Sequence, residues 1–359
     1  METEMNRASI DEFVRCIAPI DEAWRQRARV HLDTLTKPIG SLGRLEDLAA
    51  QIVAIRQDRF ADPQRKAVYV FAADHGIVEA SVSAYPRAVT HQMVLNFLRE
   101  GAAINVLARQ HGAALHVVDV GVDAELERVP GLLHHKVRRG TRNMLREAAM
   151  SEEDVAQALG VGARLGEEAT AAGYSLLAIG EMGIGNTTAA SAITCALTGA
   201  PAAIATGRGT GLESEAYARK VRIVEAVIRK HCASGSLAPF EILRCLGGLE
   251  IAAMAGMVLA AARHRIVIVA DGFISTAAAA LAVAIEPNVF GYLIAGHRSE
   301  EPGHQLLLDH LKLTPVLSLG MRLGEGTGAV LAMPVIESAL SLYTEMATFA
   351  SAGVSEASR

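Results

Sequence analysis

Six apolar runs, rich in β-branched residues, recur along the chain, and each ends at an aspartate or a glycine. The runs cover residues 67–73, 115–118, 176–179, 266–270, 292–295 and 316–319. Continuous apolar runs without alternation are typical of strands that are buried on both faces of a sheet. The pattern therefore predicts six buried strands.

Alanine-rich segments separate these runs and predict helices, most clearly at residues 186–197, 213–230 and 249–263. Strands that alternate with helices imply right-handed crossovers, so we expect an α/β fold with a Rossmann-like parallel sheet and helices on both faces. Ligands of such sheets bind beyond the carboxyl ends of the strands. The residues expected at that edge are Asp74, Glu181, Asp271 and Arg298, together with the glycine-rich stretches.

The two ends of the chain lack strand patterns. The first sixty residues predict helices, most strongly at residues 45–55, and residues 329–349 also predict a helix. We expect these ends to pack together. The predicted organisation is an α/β catalytic domain at residues 61–328 and a small helical domain formed by residues 1–60 with 329–359.

Composition narrows the class of protein. Of the 359 residues, 51% are hydrophobic, which argues against intrinsic disorder. The chain has 34 basic and 39 acidic residues, so it lacks the excess of positive charge that is typical of nucleic-acid-binding proteins. The acidic, polar first residues do not resemble a secretory signal. The longest uncharged apolar run, residues 251–262, is shorter than the ~20 residues that a membrane span needs. We expect a soluble cytoplasmic protein with neither nucleic-acid nor membrane partners.

The cysteines and histidines show no metal-binding spacing. Cys16, Cys195, Cys232 and Cys245 form no C-x-x-C pair, so free and mostly buried thiols are expected. The histidines form no H-E-x-x-H motif. No metal and no cofactor is predicted.

The first glycine-rich segment, GEMGIGNTT at residues 180–188, follows a predicted strand and opens a predicted helix. Backbone N–H groups at a helix N-terminus, with two threonine hydroxyls, suit a phosphate. The segment is not a Rossmann fingerprint, because Thr188 stands where the third glycine belongs, and it lacks the Gly-Lys-Ser/Thr of a P-loop. A tight turn with threonine caps is the alternative interpretation.

The second segment, GRGTG at residues 207–211, also precedes a predicted helix. Its glycines let a backbone approach a ligand, and Arg208 adds a cation that suits phosphate or carboxylate. A flexible surface loop is the alternative. Two such loops indicate one phosphorylated ligand held from two sides. Lys220, on the following helix, has the length to reach that ligand, although a single helical lysine more often faces solvent.

The third segment, LGEGTG at residues 323–328, places Glu325 between two glycines after the last apolar run. The glycines allow a ligand ring to approach the carboxylate, and partial burial would raise its pKa toward neutrality, which suits a general base. The alternative is a turn in which Glu325 lies near the positive end of a helix dipole. Catalysis is favoured, because Thr327 can serve as the helix cap.

Two further polar stretches follow predicted strands. The neighbours Asp74 and His75 cannot easily hydrogen-bond as a catalytic pair, so a structural turn is the preferred interpretation there. Tyr85 and Gln92, which come after that turn, are candidates to line an aromatic ligand pocket. The stretch from His297 to His304 forms another polar turn on the same rim.

Taken in order, these stretches strongly resemble the nicotinate-nucleotide:dimethylbenzimidazole phosphoribosyltransferase family over residues 37–330. The matching segments are KPIGSLGRLE (37–46), ADHG (73–76), SAYP (83–86), VTHQM (89–93), 180–188, 207–211, LGGLE (246–250), DGFIS (271–275), 297–304 and 320–328. No single segment is decisive, but the ordered set is highly specific. One departure is Ser81, where relatives tend to carry glycine.

The resemblance implies transfer of the 5-phosphoribosyl group of nicotinate mononucleotide to 5,6-dimethylbenzimidazole, in assembly of the cobalamin nucleotide loop. It implies that Glu325 is the general base and that Glu181 is a second carboxylate near the ribose. The residues expected to hold the nucleotide are Gly183, Gly185, Asn186, Thr187, Arg208, Gly209 and Lys220, and those expected to hold the base are Ser83, Tyr85, Gln92, Leu323 and Gly324. It also implies a homodimer.

Three other functions compete with this one. A phosphoribosyltransferase that uses phosphoribosyl pyrophosphate would carry two adjacent acidic residues after a strand and before a threonine-rich loop, and no such placement is found. A non-catalytic nucleotide sensor would keep the phosphate loops but has no need of Glu325 between glycines. A phosphoribosyltransferase of this family with a different acceptor base is the third alternative.

Overall fold

The computed structural model describes residues 7–60, 65–126, 129–209, 211, 213–233 and 235–355. Within them, six strands form one parallel sheet in the order β3-β2-β1-β4-β5-β6. The strands are β1 (Lys66–Ala73), β2 (Ala114–Gly121), β3 (Leu132–His134), β4 (Leu176–Met182), β5 (Val267–Ala270) and β6 (Leu293–Ala295). The predicted α/β fold with a Rossmann-like parallel sheet is confirmed.

Helices connect and cover the strands. They are α1 (Arg7–Val14), α2 (Glu22–Thr34), α3 (Arg44–Arg56), α4 (Ala88–Leu98), α5 (Ala103–Gln110), α6 (Glu152–Ala171), α7 (Asn186–Thr198), α8 (Ala202–Ala205), α9 (Ser214–His231), α10 (Pro239–Leu246), α11 (Leu249–Arg263), α12 (Phe273–Ile285), α13 (Pro302–Leu311), α14 (Thr327–Glu345) and α15 (Phe349–Ala352). Three 3₁₀ segments cover Gln57–Arg59, Gly76–Ala80 and Pro287–Tyr292.

Five of the six predicted strands are confirmed, and the prediction for residues 316–319 is wrong. That segment makes only a single parallel bridge, between Leu317 and His297, and Leu319 is 58% exposed. Its apolar side chains therefore do not lie between two layers of helices. The sequence pattern also missed β3, which is a three-residue strand at the sheet edge and so carries no long apolar run.

Close helix packing explains the abundance of alanine and glycine. Helix α11 is buried from Leu249 to Ala262, and it lies directly against α6. A Cβ atom at Gly162 would collide with the carbonyl oxygen of Ala253, and one at Gly256 would collide with that of Leu159. Only glycine at these two positions lets the two backbones approach so closely.

Helices from the two ends of the chain lie side by side. Helix α14 packs on α3, His31 Nε2 lies 3.0 Å from the carbonyl oxygen of Tyr343, and Leu35 forms an antiparallel bridge with Thr348. Their apolar side chains join one continuous core with the sheet. The division at residues 61–328 stays a prediction, and residues 1–6, 61–64 and 356–359 lie outside the described part of the chain.

Helix α14 is also the one described helix that is long and apolar enough to cross a bilayer. Of its most apolar stretch, 56% is buried inside the protein. A core helix of a water-soluble protein has the same length and composition, so this feature is weak evidence for a membrane span.

Candidate active site

A cleft of about 600 Å³ opens at the carboxyl ends of the strands. From β1 the strand order continues through β2 to β3 on one side of the sheet, and from β4 it continues through β5 to β6 on the other side. The order therefore reverses between β1 and β4, and ligands of doubly wound sheets bind at such a reversal. The cleft lies beside β4 and β5. It is lined by Tyr85, Val89, Met93, Glu181, Met182, Gly183, Ile184, Asn186, Thr187, Gly209, Asp271, Gly272, Phe273, Ile274, Ser275, His297, Ser299, Glu301, Arg322, Leu323, Gly324 and Glu325.

Glu181 is one of two glutamates buried on the wall of this cleft. It lies near the end of β4, its side chain is 6% exposed, and it accepts a hydrogen bond from Asn186 Nδ2. Burial raises the pKa of Glu181 to about 8, and the charges of Glu250 and Asp271 act in the same direction. This carboxyl group is therefore poised to change protonation near neutral pH.

Glu325 is the second buried glutamate, and its backbone is unusual. It lies in the left-handed region with φ of 63°, between Gly324 at 88° and Gly326 at 85°. A left-handed residue other than glycine costs roughly 1–2 kcal/mol, and such strain tends to collect at functional sites. The expectation that Glu325 follows a strand is wrong, because residues 316–319 form none; the turn instead leads into α14.

The cap of α14 also differs from the expected one. Thr327 Oγ1 donates a hydrogen bond of 2.8 Å to the carbonyl oxygen of Gly324 and so closes the turn. The backbone N–H groups of Gly326 and Ala329 instead donate to the Asp271 carboxylate, at 3.1 and 2.9 Å. The start of this helix is therefore held by a side chain from the end of β5.

The carboxyl group of Glu325 is 6% exposed, and its Oε2 atom has no hydrogen-bond partner among the described residues. Burial raises the pKa of Glu325, and the charge of Asp271 raises it further. A hydrogen bond with the backbone of Ile104, at the start of α5, lowers it. A carboxylate with an elevated pKa and an unused oxygen at a cleft has the properties of a general base.

The turn at Gly324 packs Glu181 and the backbone of Glu325 close to each other's strand and loop. A Cβ atom at Gly324 would collide with Glu181 Oε1, and a Cβ atom at Gly180 would lie 2.5 Å from the carbonyl carbon of Glu325. Glycine at both positions is therefore a steric requirement for this contact.

The start of α7 forms the polar end of the cleft. Gly185 precedes α7 in a left-handed conformation, with φ of 99°, while Gly183, Asn186 and Thr187 line the cleft. The unpaired N–H groups and the positive dipole end of a helix N-terminus attract anions. This arrangement suits an anion, and the role of the segment as a phosphate cradle stays a prediction.

Lys220 lies beneath this cradle. Its Nζ atom is buried and donates hydrogen bonds to Thr187 Oγ1 at 3.0 Å and to the carbonyl oxygen of Gly207 at 3.1 Å. Burial lowers its pKa to about 8, while the charge of Glu301 acts in the opposite direction. The general expectation that a single helical lysine faces solvent is wrong here. Thr210 of the same loop lies outside the described residues.

Arg208 does not line the cleft. Its side chain is exposed, and its guanidinium carbon lies 5.1 Å from the centre of the Tyr217 ring. Arg322 instead reaches the loop and donates a 2.8 Å hydrogen bond to the carbonyl oxygen of Gly209. Arg322 lies within the matching segment 320–328, but no local pattern singled it out as a site residue. The role of Arg208 in holding a nucleotide stays a prediction.

Part of the cleft wall is apolar. Tyr85, Val89, Met93, Leu323 and Ile184 line it together with the backbone of Gly324. An aromatic ring fits such a wall.

Two residues predicted to hold the base lie elsewhere. The Ser83 hydroxyl accepts the backbone N–H of Tyr85 at 3.1 Å, and Gln92 is exposed on α4. Neither residue lines the cleft, so their roles stay predictions. Ser81 is left-handed, with φ of 56°, which is why glycine suits this position.

The Asp74–His75 turn is structural, as the sequence indicated. Asp74 Oδ2 accepts the backbone N–H of Asp123 at 2.8 Å, and His75 Nε2 lies 2.6 Å from Glu250 Oε1. The two neighbouring side chains therefore have different partners. The His75–Glu250 pair is buried beneath the loop that contains Gly183.

Sequence reasoning placed several residues on the rim without assigning them to the site. Asp271 follows β5, and His297, Ser299 and Glu301 follow β6; all four line the cleft. The position of each after a buried apolar run is the signal that could have found them. Within the described part of the chain, no group of three or more His, Cys, Asp or Glu side chains is arranged to hold a metal ion.

The chain is similar to known proteins over almost its whole length. A family model described as Phosphoribosyltransferase matches residues 17–354. A nicotinate-nucleotide--dimethylbenzimidazole phosphoribosyltransferase from Geobacter sulfurreducens is 49% identical over 347 residues, which cover 97% of this chain and 98% of that protein. An enzyme of the same name from Chloroflexus aurantiacus is 49% identical over 350 residues, 97% of this chain and 99% of that protein.

A solved structure shows the same similarity. The crystal structure of the phosphoribosyltransferase of that name from Thermus thermophilus matches with a TM-score of 0.88 and 46% identity, over 94% of this chain and all of that one.

The elevated pKa of Glu181 makes stability depend on pH. Because the folded protein holds this proton up to about pH 8 whereas a free glutamate loses it near 4.5, folding loses stability as the pH rises between these values. Glu181→Gln removes that penalty and keeps an acceptor for Asn186. The melting temperature of the variant relative to the wild type should therefore rise from about pH 5 to about pH 9. Glu215→Gln, at an exposed position of α9, is the control. A difference in melting temperature between Glu181→Gln and the wild type that does not change with pH would contradict the assigned pKa.

Proposed function

The chain belongs to the phosphoribosyltransferase family that its sequence matches almost from end to end, and we propose on this premise the reaction that it catalyses. The protein transfers the 5-phosphoribosyl group of nicotinate mononucleotide to 5,6-dimethylbenzimidazole, and releases nicotinate and α-ribazole 5′-phosphate. It is a pentosyltransferase that acts in assembly of the cobalamin nucleotide loop. The observation that carries the proposal is that two buried glutamates line one cleft, together with a helix N-terminus and an apolar wall.

Two groups of residues in the cleft orient the substrates. The 5′-phosphate of the nucleotide binds at the start of α7, where Thr187, Gly209 and Lys220 lie together. The benzimidazole ring packs on the apolar wall beside Tyr85 and Leu323. The ribose then lies between these two groups of residues, beside Glu181 and Glu325, which both line the cleft. Holding both reactants in one cleft supplies part of the rate acceleration through proximity.

Glu181 stabilises the positive charge that develops at C1′ of the ribose. The bond between C1′ and the pyridinium nitrogen breaks, and its electron pair returns to the nicotinate ring, so the leaving group needs no proton. Burial raises the pKa of Glu181 to about 8, and the positive charge of a pyridinium substrate beside it favours the ionised form. An ionised carboxylate beside C1′ lowers the energy of the transition state more than that of the ground state.

Glu325 removes a proton from the attacking base. One ring nitrogen of dimethylbenzimidazole forms the new bond to C1′, and the other ring nitrogen must lose its proton. The Glu325 carboxylate accepts that proton, since Oε2 has no partner among the described residues and burial favours the protonated product.

The rival functions account for less of this geometry. A nucleotide sensor explains the anion cradle but leaves the strained, buried Glu325 without a role. A different acceptor base, such as a purine, would use the same two carboxyl groups. Turnover with dimethylbenzimidazole and with a purine in parallel separates the acceptors.

Two finer points belong to the proposal. The chain assembles as a homodimer, which is supported by the sequence resemblance and by exposed apolar side chains such as Ile39 and Leu319. It acts in the cytoplasm, which is supported by its four free thiols, two of them buried and Cys16 exposed.

Removal of the buried ammonium group should weaken nucleotide binding. Lys220→Met keeps the length of the side chain but withdraws the charge from the cradle. A charge-assisted contact is worth ~1.5–3 kcal/mol, so the dissociation constant of nicotinate mononucleotide should rise by roughly tenfold to a hundredfold in calorimetry. Lys230→Met, on the exposed part of the same helix, is the matched control. Equal affinities for the two variants would remove Lys220 from the phosphate site.

Loss of the proposed base should slow catalysis and leave nucleotide binding intact. Glu325→Gln keeps size and hydrogen bonding but cannot accept the proton, so kcat should fall by ~10²–10⁴-fold. Activity of the wild type falls at low pH as Glu325 becomes protonated, and this acidic limb should be absent from the variant. Glu345→Gln, at the exposed end of α14, is the control. Near-normal turnover of Glu325→Gln with the acidic limb intact would leave Glu181 as the better candidate.

A further inference from the structure

Asp271 is a buried carboxylate in the cleft that the mechanism above does not use. It follows β5 directly, its side chain is 1% exposed, and it lines the cleft beside both glutamates. Because a buried carboxylate is costly unless it is well paired, its partners indicate its purpose.

Both oxygens of Asp271 accept backbone N–H groups from the start of α14. Oδ2 accepts from Gly326 at 3.1 Å, and Oδ1 accepts from Ala329 at 2.9 Å. The residue that precedes α14, Gly326, has no side chain with which to cap the helix. Asp271, which follows β5 and lies 55 positions before Gly326 in the chain, therefore caps this helix.

The first of these hydrogen bonds acts on Glu325. The N–H of Gly326 belongs to the peptide group that joins it to Glu325, so its orientation fixes the backbone torsion that directs the glutamate. The other side of that peptide rests on Gly180 of β4, where a Cβ atom would collide with it. The peptide is therefore held between a strand and a carboxylate.

The turn from Gly324 to Gly326 would not keep its conformation without these contacts. Three successive residues, Gly324 to Gly326, have positive φ angles of 88°, 63° and 85°. Two of them are glycines and have many other conformations available, and the third is strained. Such a turn persists only where surrounding contacts determine it.

We propose that Asp271 is the positioning residue for Glu325, because its carboxylate locks the left-handed turn that aims the general base into the cleft. The inference rests on the proposed function of Glu325 as the base. It assigns to Asp271 no contact with substrate.

The groups around Asp271 are mostly acidic. Glu181 on β4 and Glu325 face it, and His297, after β6, has its Nε2 atom 3.7 Å from Asp271 Oδ1. Burial raises the pKa of Asp271, while His297 and the N–H groups at the start of α14 oppose that shift. The charge of Asp271 in turn raises the pKa of both glutamates.

The test is a double-mutant cycle with Asp271→Asn and Glu325→Gln. An asparagine side chain at this position would keep the shape but would present an NH₂ group to one of the two backbone N–H donors. In the wild-type background, we expect kcat to fall roughly tenfold to a hundredfold with the KM for nicotinate mononucleotide little changed. In the Glu325→Gln background, the same change should lower kcat by less than about twofold, because the residue acts through Glu325.

The pH profile supplies a readout that a merely structural role would not move. Withdrawing the Asp271 charge lowers the pKa of Glu325, so the acidic limb of kcat/KM should shift to lower pH in Asp271→Asn. Asp119→Asn is the matched control, since Asp119 is also buried near the end of a strand and also accepts a backbone N–H, and it does not line the cleft. It should leave both kcat and the limb unchanged.

The outcomes separate this inference from the proposed function. If the wild type does not release nicotinate, the proposed function is wrong. If it does release nicotinate, and the losses of kcat in the two single variants multiply fully in the double variant, only the positioning role is overturned. An unmoved acidic limb also overturns it. Should Asp271→Asn not fold, the smaller Asp271→Ser, which keeps one acceptor oxygen, completes the same cycle.

Discussion

The structure depends on one close contact, that of the end of β4 with the turn that begins α14. Gly180 has no side chain, and so the Glu325–Gly326 peptide rests directly on the strand. This contact brings Glu181 and Glu325 to the same cleft although they lie 144 positions apart in the sequence. It also buries both carboxyl groups, and burial is the largest cause of their raised pKa values. The chemistry of the cleft thus follows from a steric property of one glycine.

Groups at helix N-termini act on three buried acids of the cleft. Asp271, which also lies near His297, accepts backbone N–H groups from the start of α14. Glu181 accepts from the side-chain amide of Asn186, the first residue of α7, and the backbone N–H of Ile104 at the start of α5 acts on Glu325. Backbone dipoles offset part of the desolvation cost without neutralising the negative charge. The cleft can therefore favour positive charge at its centre, while the cradle beside Lys220 favours the anionic phosphate.

Much of the fold could be predicted from the sequence, because strands buried on both faces leave continuous apolar runs. The segment 316–319 has the same composition but makes only one bridge, and pattern alone does not reveal what covers a segment. Glu325 was found through its flanking glycines. The burial of Lys220, the reach of Arg322 and the partners of Asp271 depend on contacts between distant parts of the chain, which no local pattern encodes.

In the proposed reaction, one cleft holds phosphate and base, with Glu325 at the proton to be removed. A crystal structure with nicotinate mononucleotide and a benzimidazole would show this arrangement. The phosphate should lie against Gly209 and the start of α7, and a ring N–H of the benzimidazole should donate a hydrogen bond to Glu325. A benzimidazole whose N–H faces Glu181 or solvent, with Glu325 out of reach, would contradict it.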